Sequence, residues 1–183
     1  MGQDNGLGNH IQAALGKSAE YKVWQRAMPS KTPKAIARYQ KDYETSDLSA
    51  VSNEINAYGA TLSVGQCLFH GGLWRSGDSQ IITRPLSTSL CPQVAMRNVE
   101  WTAKAYDAGR IDLLVLRIAS PTHKVFVFKR RGTSLGHESE VLIASGARLT
   151  LTGETLVRSD YSVGKYNSPN KDIPVYVLKV DVS

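Results

Sequence analysis

The stretch Gly136-His137-Glu138-Ser139-Glu140-Val141-Leu142-Ile143 decides how the rest of this 183-residue chain is interpreted. Two glutamates, separated by one serine, stand directly before a run of apolar residues. Side chains two residues apart on an extended chain point to the same side, so Glu138 and Glu140 would face one site together. Val141 and Ile143 would then face the opposite side, towards a core. The alternative interpretation is a charged beginning of a surface strand.

A second motif, Arg84-Pro85-Leu86-Ser87-Thr88-Ser89-Leu90, has the alternating pattern of a strand. The alternation predicts that Ser87 and Ser89 lie on one face of the strand and that Thr88 lies on the other. A small hydroxyl beside a glutamate can hold the carboxylate in one rotamer, and a second hydroxyl can contact a ribose. A polar edge strand is the alternative interpretation of this motif.

A third motif, Cys67-Leu68-Phe69-His70-Gly71-Gly72, predicts a strand that ends in histidine and two glycines. This ending offers an imidazole together with exposed backbone N–H groups, and glycine lets a backbone approach a bulky ligand closely. A strand that runs into a turn with an incidental histidine is the alternative.

The pattern of apolar, capping and turn-forming residues around these motifs predicts the secondary structure. Helices are expected between about residues 18 and 58, including one over Leu48–Tyr58 that is capped by Ser46-Asp47. From Thr61 onward the apolar runs are short and rich in β-branched residues, which is typical of strands. One helix over Gln93–Ala108, closed by Gly109, interrupts them. The predicted strands are Gln66–His70, Pro85–Leu90, Asp112–Ala119, Lys124–Lys129, Glu140–Ser145, Arg148–Thr152 and Val175–Val182.

Helices first and strands afterwards favour an α+β fold, with a helical lobe over about 18–60 and a strand-rich core over about 61–183. Residues 1–17 hold four glycines and few bulky groups, so we expect a flexible leader there. The remaining residues, 18–183, are expected to form a single domain. Because no alternating βαβ pattern and no Gly-x-Gly-x-x-Gly after a strand is present, a Rossmann fold is not expected.

Composition limits the function classes that fit this chain. The net charge is +6 and aromatic residues make up 8% of the chain. The basic residues look scattered apart from Lys129-Arg130-Arg131 and do not cluster with aromatics, so nucleic-acid binding is not expected. No run of roughly 20 apolar residues predicts a membrane helix, and residues 1–10 have no apolar segment typical of a signal peptide. Cys67 and Cys91 lack metal-ligand spacing, so two buried thiols and no metal site are expected.

In this order, the three motifs resemble those of the ADP-ribosyltransferase superfamily, specifically its toxin-like branch with an Arg-Ser-Glu triad. The match covers roughly Gln66 to Thr152 and implies a split β-sandwich core with an N-terminal helical lobe. His70 stands where that branch carries arginine, and it is similar to the histidine of the diphtheria-toxin and poly-ADP-ribose branch. Losing a guanidinium removes one phosphate clamp. The residues that can replace this clamp are Arg75, Arg84, Arg97 and Arg117.

The resemblance implies that the chain cleaves NAD at its nicotinamide–ribose bond and transfers ADP-ribose to an acceptor, without a metal. Glu140 would stabilise the positive charge that develops on the ribose, Ser87 would hold Glu140, and Glu138 would orient or deprotonate the acceptor. His70 would hold the adenosine ribose, and Gly71 would present its backbone to the nicotinamide amide. The residues expected to bind NAD are His70, Gly71, Gly72, Ser87, Thr88 and Ser89.

The expected partner is a protein acceptor. In the resembled family, a glutamate at the position of Glu138 goes with arginine acceptors. A threonine or serine acceptor on a host protein such as ubiquitin or a signalling protein, NAD hydrolysis without transfer, and a non-enzymatic NAD-like-ligand or protein-binding member stay open. The resemblance also implies a monomeric toxin or effector, made in a bacterial or phage-infected cytoplasm and moved into a target cell without a classical signal peptide.

Overall fold

The computed structural model describes residues 6–75, 77–129 and 139–183. The chain begins with four helices, α1 (Gly6–Lys17), α2 (Ala19–Ala27), α3 (Lys34–Lys41) and α4 (Leu48–Tyr58). There follow strands β1 (Cys67–Gly72), β2 (Ser79–Ile81) and β3 (Leu86–Ser89), helix α5 (Pro92–Glu100), a 3₁₀ turn (Trp101–Ala103) and helix α6 (Lys104–Ala108). The last strands are β4 (Ile111–Ile118), β5 (Val125–Val127), β6 (Glu140–Ile143), β7 (Arg148–Lys165) and β8 (Ser168–Val182). This order confirms the predicted α+β class.

The strands of the described residues join in one hydrogen-bonded sheet with the order β2-β7-β8-β4-β1-β3-β6-β5. Neighbouring strands run antiparallel except β4 and β8, which are parallel. The sheet is nearly divided between β1 and β3, which pair only at Phe69 and Ser89. By contrast, β1 pairs with β4 along residues 67–72. The division separates β3, β6 and β5 from the rest of the sheet.

Within the described residues, two hydrophobic clusters join the helices to the sheet. The larger one contains the buried apolar residues of α2, α3 and α4, and the smaller one packs Val99 of α5 and Ala105 of α6 against β4, β7 and β8. Helix α4 begins after Asp47, whose carboxylate accepts hydrogen bonds from the backbone N–H groups of Ser49 and Ala50, both at 3.0 Å. This N-cap and the helix bounds confirm the sequence prediction. Val51 and Ile55 of α4 are completely buried in the core. Burial of such an apolar stripe, more than helix propensity, stabilises helices of this length.

Helix α1 occupies the stretch in which the glycine content predicts a flexible leader. Leu7, Ile11 and Leu15 recur at helical spacing, and Leu15 packs against the core. The backbone N–H of Gly8 also donates to Gln93 Oε1 at 3.1 Å. Each helix-interior glycine costs about 1 kcal/mol relative to alanine. The tertiary contacts of α1 outweigh this cost. The prediction of a flexible leader rested on the glycines and did not take the apolar spacing into account.

The single helix predicted over Gln93–Ala108 is two helices in the structure. Helix α5 ends at Glu100 and α6 begins at Lys104. Ala103, between them, has φ +60°, a left-handed conformation that an uninterrupted α-helix does not contain. Gly109 ends α6 as predicted, with φ +74°.

The strands predicted over 148–152 and 175–182 are the two ends of a longer hairpin. Strand β7 has 18 residues and β8 has 15. Residues 154–160 of β7 are all exposed, so backbone pairing with β8 rather than apolar burial holds them extended. An exposed strand lacks the alternating apolar pattern by which strands are recognised in a sequence. The three-residue strand β2 was not predicted for the same reason.

The cysteines, the lengths of the helices and the grouping of possible metal ligands can be compared with the predictions from composition. Of the two cysteines, both free, Cys91 is buried but Cys67 is partly exposed, so the prediction of two buried thiols is wrong for Cys67. None of the described helices combines the length and apolar character needed to span a membrane. Within the described ranges, no three or more His, Cys, Asp or Glu side chains come together in a group that could hold a metal ion.

Gly71 provides a test of how closely α5 packs on the sheet. A Cβ atom at this position would lie 2.0 Å from the backbone oxygen of Ala95 in α5. We therefore expect Gly71→Ala to lower the free energy of unfolding by about 1–3 kcal/mol, since the helix must shift. A Cβ at Gly16 of α1 would meet nothing within 4 Å, so Gly16→Ala should leave stability unchanged or raise it slightly. Urea unfolding of both variants checks this, and equal stabilities would contradict the packing.

Candidate active site

The candidate site lies where β1 and β3 stop pairing, which we call the β1–β3 gap. If the ladder continued beyond Phe69 and Ser89, Gly71 would lie opposite Ser87. Instead, the His70 imidazole lies in hydrogen-bond contact with the backbone carbonyl of Ser87, with Nδ1 and O 2.8 Å apart. A carbonyl oxygen only accepts hydrogen bonds, so Nδ1 is the protonated donor. The ring thus bridges the two parts of the sheet at the position where a backbone ladder bond is missing.

The hydroxyl of Ser87 connects this bridge to Glu140, the first residue of β6. Ser87 Oγ donates to Glu140 Oε1 at 2.7 Å, and Gln40 Nε2 from α3 donates to Glu140 Oε2 at 2.9 Å. Glu140 is only 8% exposed. A buried carboxylate is strongly unfavourable unless donors compensate it, and each charge-assisted hydrogen bond contributes about 1.5–3 kcal/mol. The two donors hold the carboxylate in one orientation, and the contact with Ser87 matches the sequence prediction.

The backbone immediately before Glu140 is fixed as well. Ser139 has φ +49°, in the left-handed region. Its carbonyl accepts from the backbone N–H of Leu90 at 3.1 Å, and its hydroxyl accepts from Gln12 Nε2 at 2.5 Å. The conformation of Ser139 departs from the extended backbone on which a common side for Glu138 and Glu140 was predicted. Glu138 itself lies outside the described residues.

Helix α3 supplies further polar groups that the sequence motifs did not indicate. Tyr39 is buried beside Glu140, and its burial and the negative charge of that carboxylate raise the pKa of its hydroxyl above the usual range. The Tyr39 ring packs edge-on against Tyr43, with ring centroids 5.4 Å apart. The guanidinium of Arg84 lies 5.6 Å from the Tyr43 ring centroid and donates to the Tyr43 hydroxyl. Arg84 is therefore anchored near the site by an aromatic side chain of the helical lobe.

Sequence reasoning missed Gln40 and Tyr39 because they belong to no recognisable motif. Gln40 is 100 residues away from Glu140 in the chain, and only the fold brings them together. The available signal was indirect: α3 is a short amphipathic helix whose inner face carries a glutamine beside a tyrosine. Such a pattern predicts a buried face without naming the partner of its polar groups.

The histidine of the site is neutral in its ordinary state. Burial lowers the pKa of His70 below its usual 6.5, and the positive charges of Lys104 and Arg84 lower it further, although the hydrogen bond to the Ser87 carbonyl acts in the opposite direction. With the proton on Nδ1, the Nε2 atom of the neutral ring is a hydrogen-bond acceptor. His70 thus has an acceptor nitrogen, and two cationic side chains, Lys104 and Arg84, act on its ring electrostatically.

The other residues predicted to bind NAD have partners within the protein. Thr88 is buried and its hydroxyl donates to the backbone carbonyl of Val141 at 2.6 Å. Ser89 is also buried, and its hydroxyl accepts from the backbone N–H of Cys91 at 3.0 Å. A Cβ at Gly72 would lie 2.8 Å from His70 Nε2. These residues and Gly71 support the packing around the site, and a direct contact with NAD stays a prediction.

The four arginines predicted as possible pyrophosphate clamps have different surroundings in the structure. Arg117 donates to both carboxylate oxygens of Asp181, at 2.8 Å each. It pairs with Cys67 at the beginning of β1, whereas His70 lies towards the other end of that strand. Arg75 is exposed in the segment after β1, and Arg97 is half-buried on α5. Arg84 is the arginine whose charge acts on His70.

The protonation of His70 gives a pH dependence that can be measured. The unfolded chain binds a proton at the ordinary pKa of 6.5, and folded His70 does so only at lower pH. The unfolded state therefore holds more protons between these values, and the free energy of unfolding falls as pH decreases below 6.5. The slope is at most about 1.4 kcal/mol per pH unit.

Urea unfolding between pH 5.5 and 8 measures this slope. His70→Asn should flatten it, because the side chain at position 70 then no longer titrates. An unaltered slope in His70→Asn would contradict a depressed pKa of this residue.

Comparison with known proteins supports the assignment of the fold. No protein-family model matches the sequence, and no curated protein matches it. Among solved structures, Plx2a, an ADP-ribosyltransferase toxin from Paenibacillus larvae, has a TM-score of 0.57 at 10% identity, covering 96% of each chain. The ADP-ribosyltransferase Vis, from Vibrio splendidus, has a TM-score of 0.55 at 11% identity, covering 100% of this chain and 86% of that chain. The chain therefore has the fold of the bacterial ADP-ribosyltransferase toxins, which confirms the fold implied by its motifs.

Proposed function

We propose that this protein is a mono-ADP-ribosyltransferase, which cleaves NAD at the nicotinamide–ribose bond and transfers ADP-ribose to a protein side chain. The observation that carries the proposal is the buried carboxylate of Glu140, held by Ser87 on one oxygen and by Gln40 on the other. The fold shared with ADP-ribosyltransferase toxins supports it.

The arrangement suits the charge that develops during cleavage. Breaking the bond to nicotinamide places positive charge on the ribose, as in glycoside hydrolysis. A carboxylate already fixed by donors needs no reorganisation when that charge appears, so it stabilises the transition state more than the ground state. Glu140 takes this role and accepts a hydrogen bond from the ribose 2′-hydroxyl. Ser87 and Gln40 are its positioning residues.

NAD binds, in this proposal, along the β1–β3 gap. His70 accepts a hydrogen bond from a hydroxyl of the adenosine ribose through Nε2. Arg84 and Lys104, whose charges both act on His70, neutralise the pyrophosphate. Two solved structures with the same fold support NAD as the co-substrate: C3stau2 from S. aureus with NAD, at a TM-score of 0.50 and 13% identity, and BECa of C. perfringens with NADH, at 0.52 and 13%.

The acceptor is an arginine side chain in this proposal. Glu138, two residues before the catalytic Glu140, would orient or deprotonate the guanidinium. A structure of Vis in complex with agmatine, which carries a guanidinium group, supports this class of acceptor. A threonine or serine acceptor and plain hydrolysis are the outcomes that mass spectrometry of the product distinguishes.

The biological role that fits this chemistry is that of a toxin or effector. Several solved structures with this fold are described as toxins. We propose that the protein is made in a bacterial or phage-infected cytoplasm and acts in the cytosol of a target cell.

Replacing the catalytic carboxylate tests the proposal. Glu140→Gln preserves the side-chain volume but removes the charge, so nicotinamide release from NAD should fall by a factor on the order of 10³. Glu44→Gln, at an exposed glutamate, is the matched control and should retain activity. The measurement is chromatography of released nicotinamide, with circular dichroism to establish that both variants fold. Release by the native protein that persists in Glu140→Gln would refute the assignment.

Replacing Glu138 tests whether transfer to the acceptor can be lost while cleavage of NAD is kept. Glu138→Ala should lose most transfer to an arginine acceptor such as agmatine while keeping part of the nicotinamide release, because water can still attack the ribose. Measuring ADP-ribosyl-agmatine and nicotinamide in the same reaction gives both rates. Loss of release with unchanged transfer per cleavage would contradict the proposed role in acceptor activation.

A further inference from the structure

The basic residues form no long run in the sequence, but the net positive charge of the chain comes from one part of it, which the impression of scattered basic residues overlooked. Residues 17–41, from the end of α1 to the end of α3, contain seven Lys or Arg residues and one Glu, a net charge of +6. The whole chain also has a net charge of +6, so the remaining residues balance one another. We call residues 17–41 the basic segment. Its cations are Lys17, Lys22, Arg26, Lys31, Lys34, Arg38 and Lys41.

The cations of the basic segment face solvent. All seven are exposed, and among the described residues none of them forms an ion pair within 4 Å. The charge of Arg38 does contribute to lowering the pKa of Asp42, after the hydrogen bonds from Thr45. On α3, Lys34, Arg38 and Lys41 recur at i, i+4 and i+7 and share one face of the helix.

Other side chains of the same two helices reach towards the candidate active site. Gln40 of α3 donates to the carboxylate of Glu140. Gln25 of α2 donates to the backbone carbonyl of Phe128 at 3.0 Å, and the backbone N–H of Phe128 donates to the carbonyl of Glu140 at 3.1 Å. An α-helix with its side chains is about 10 Å across. A molecule bound on the outer face of α3 is therefore held about one helix diameter from the reacting centre.

The chemistry of this surface favours an acidic protein as its occupant. The apolar sides of α2 and α3 are buried in the core through Tyr21, Trp24, Ile36 and Tyr39, so these helices cannot insert an apolar face into a lipid surface. Their aromatic side chains are buried as well, whereas single-stranded nucleic acid is bound by exposed aromatics between cations. What the surface offers is a set of flexible, hydrated cations, which suits clustered carboxylates.

We propose that the basic segment docks an acidic surface of the acceptor protein and so delivers its modified side chain to Glu140. This inference rests on the proposed transferase function. Electrostatic attraction of this kind mainly increases the rate of encounter and weakens with salt, since the Debye length is about 8 Å at physiological ionic strength. Acceptors with clustered Asp and Glu near the modified residue are favoured over neutral or basic ones.

A charge-reversal variant isolates this surface. The variant combines Lys22→Glu, Lys31→Glu and Lys34→Glu, all at exposed positions. Lys22 lies in the N-terminal half of α2 and Lys34 is the first residue of α3, where the helix dipole tolerates acidic residues. The matched control combines Arg148→Glu, Arg158→Glu and Lys179→Glu on β7 and β8. The control sites are exposed and change the net charge equally. Strands β7 and β8 are separated from β1 by β4.

The probes are two fluorescein-labelled peptides that each contain one Arg, one Ser and one Thr, flanked by glutamates in one and by lysines in the other. Fluorescence anisotropy without NAD should show binding of the glutamate peptide only. The basic-segment variant should bind it about 10-fold more weakly and the control variant as the native protein does. With NAD, ADP-ribosylation of the glutamate peptide should fall in the same proportion. Nicotinamide release by hydrolysis, measured with NAD and no peptide, should be equal in all three proteins.

The inference would be overturned if the native protein did not bind the glutamate peptide, or if the basic-segment variant bound it as tightly as the native protein does. Phosphatidylserine vesicles and a random-sequence DNA duplex are run in parallel. Preferential binding of either one, lost in the basic-segment variant, would also overturn it by assigning the surface to another partner. If the native protein releases no nicotinamide, the proposed function fails, while the anisotropy result still decides whether the basic segment recognises acidic chains.

Discussion

The arrangement of the site depends on Ser87, which joins three parts of the molecule through two oxygens. Its carbonyl accepts from His70 on β1, and its hydroxyl donates to Glu140 on β6. The β1–β3 ladder stops after one residue pair, so these side-chain contacts replace the backbone bonds that a continuous sheet would have there. We propose that NAD reaches the Glu140 carboxylate at this gap, where Ser87 and Gln40 compensate its charge.

The helical lobe completes the site rather than only covering the sheet. Gln40 fixes the second oxygen of Glu140, and Gln12 holds the hydroxyl of Ser139 next to it. Helix α3 thus helps to orient the carboxylate of Glu140, and α1 holds the residue before it. The outer face of α3 carries the cations that we assign to partner binding. In our proposal, α3 therefore both recognises the acceptor through its exposed cations and positions Glu140 through Gln40.

The sequence predicted what local pattern and motif order determine. The Ser-Thr-Ser stretch identified β3, a short run of apolar residues identified β6, and the N-cap at Asp47 set the beginning of α4. The contact between Ser87 and Glu140 also followed from the motifs. The sequence did not predict Gln40, since a hydrogen bond across 100 residues leaves no local trace. Nor did it predict the length of β7, whose exposed half lacks apolar alternation, or α1, in which tertiary contacts outweigh the glycines.

A crystal structure of the Glu140→Gln protein with NAD tests most directly whether the β1–β3 gap is the NAD site. The variant would bind the dinucleotide without consuming it. We expect the nicotinamide ribose within hydrogen-bonding distance of the side chain at position 140, with the adenosine ribose at His70 and the pyrophosphate beside Arg84. NAD bound elsewhere on the fold, or with its adenine end at position 140, would contradict the proposed mechanism.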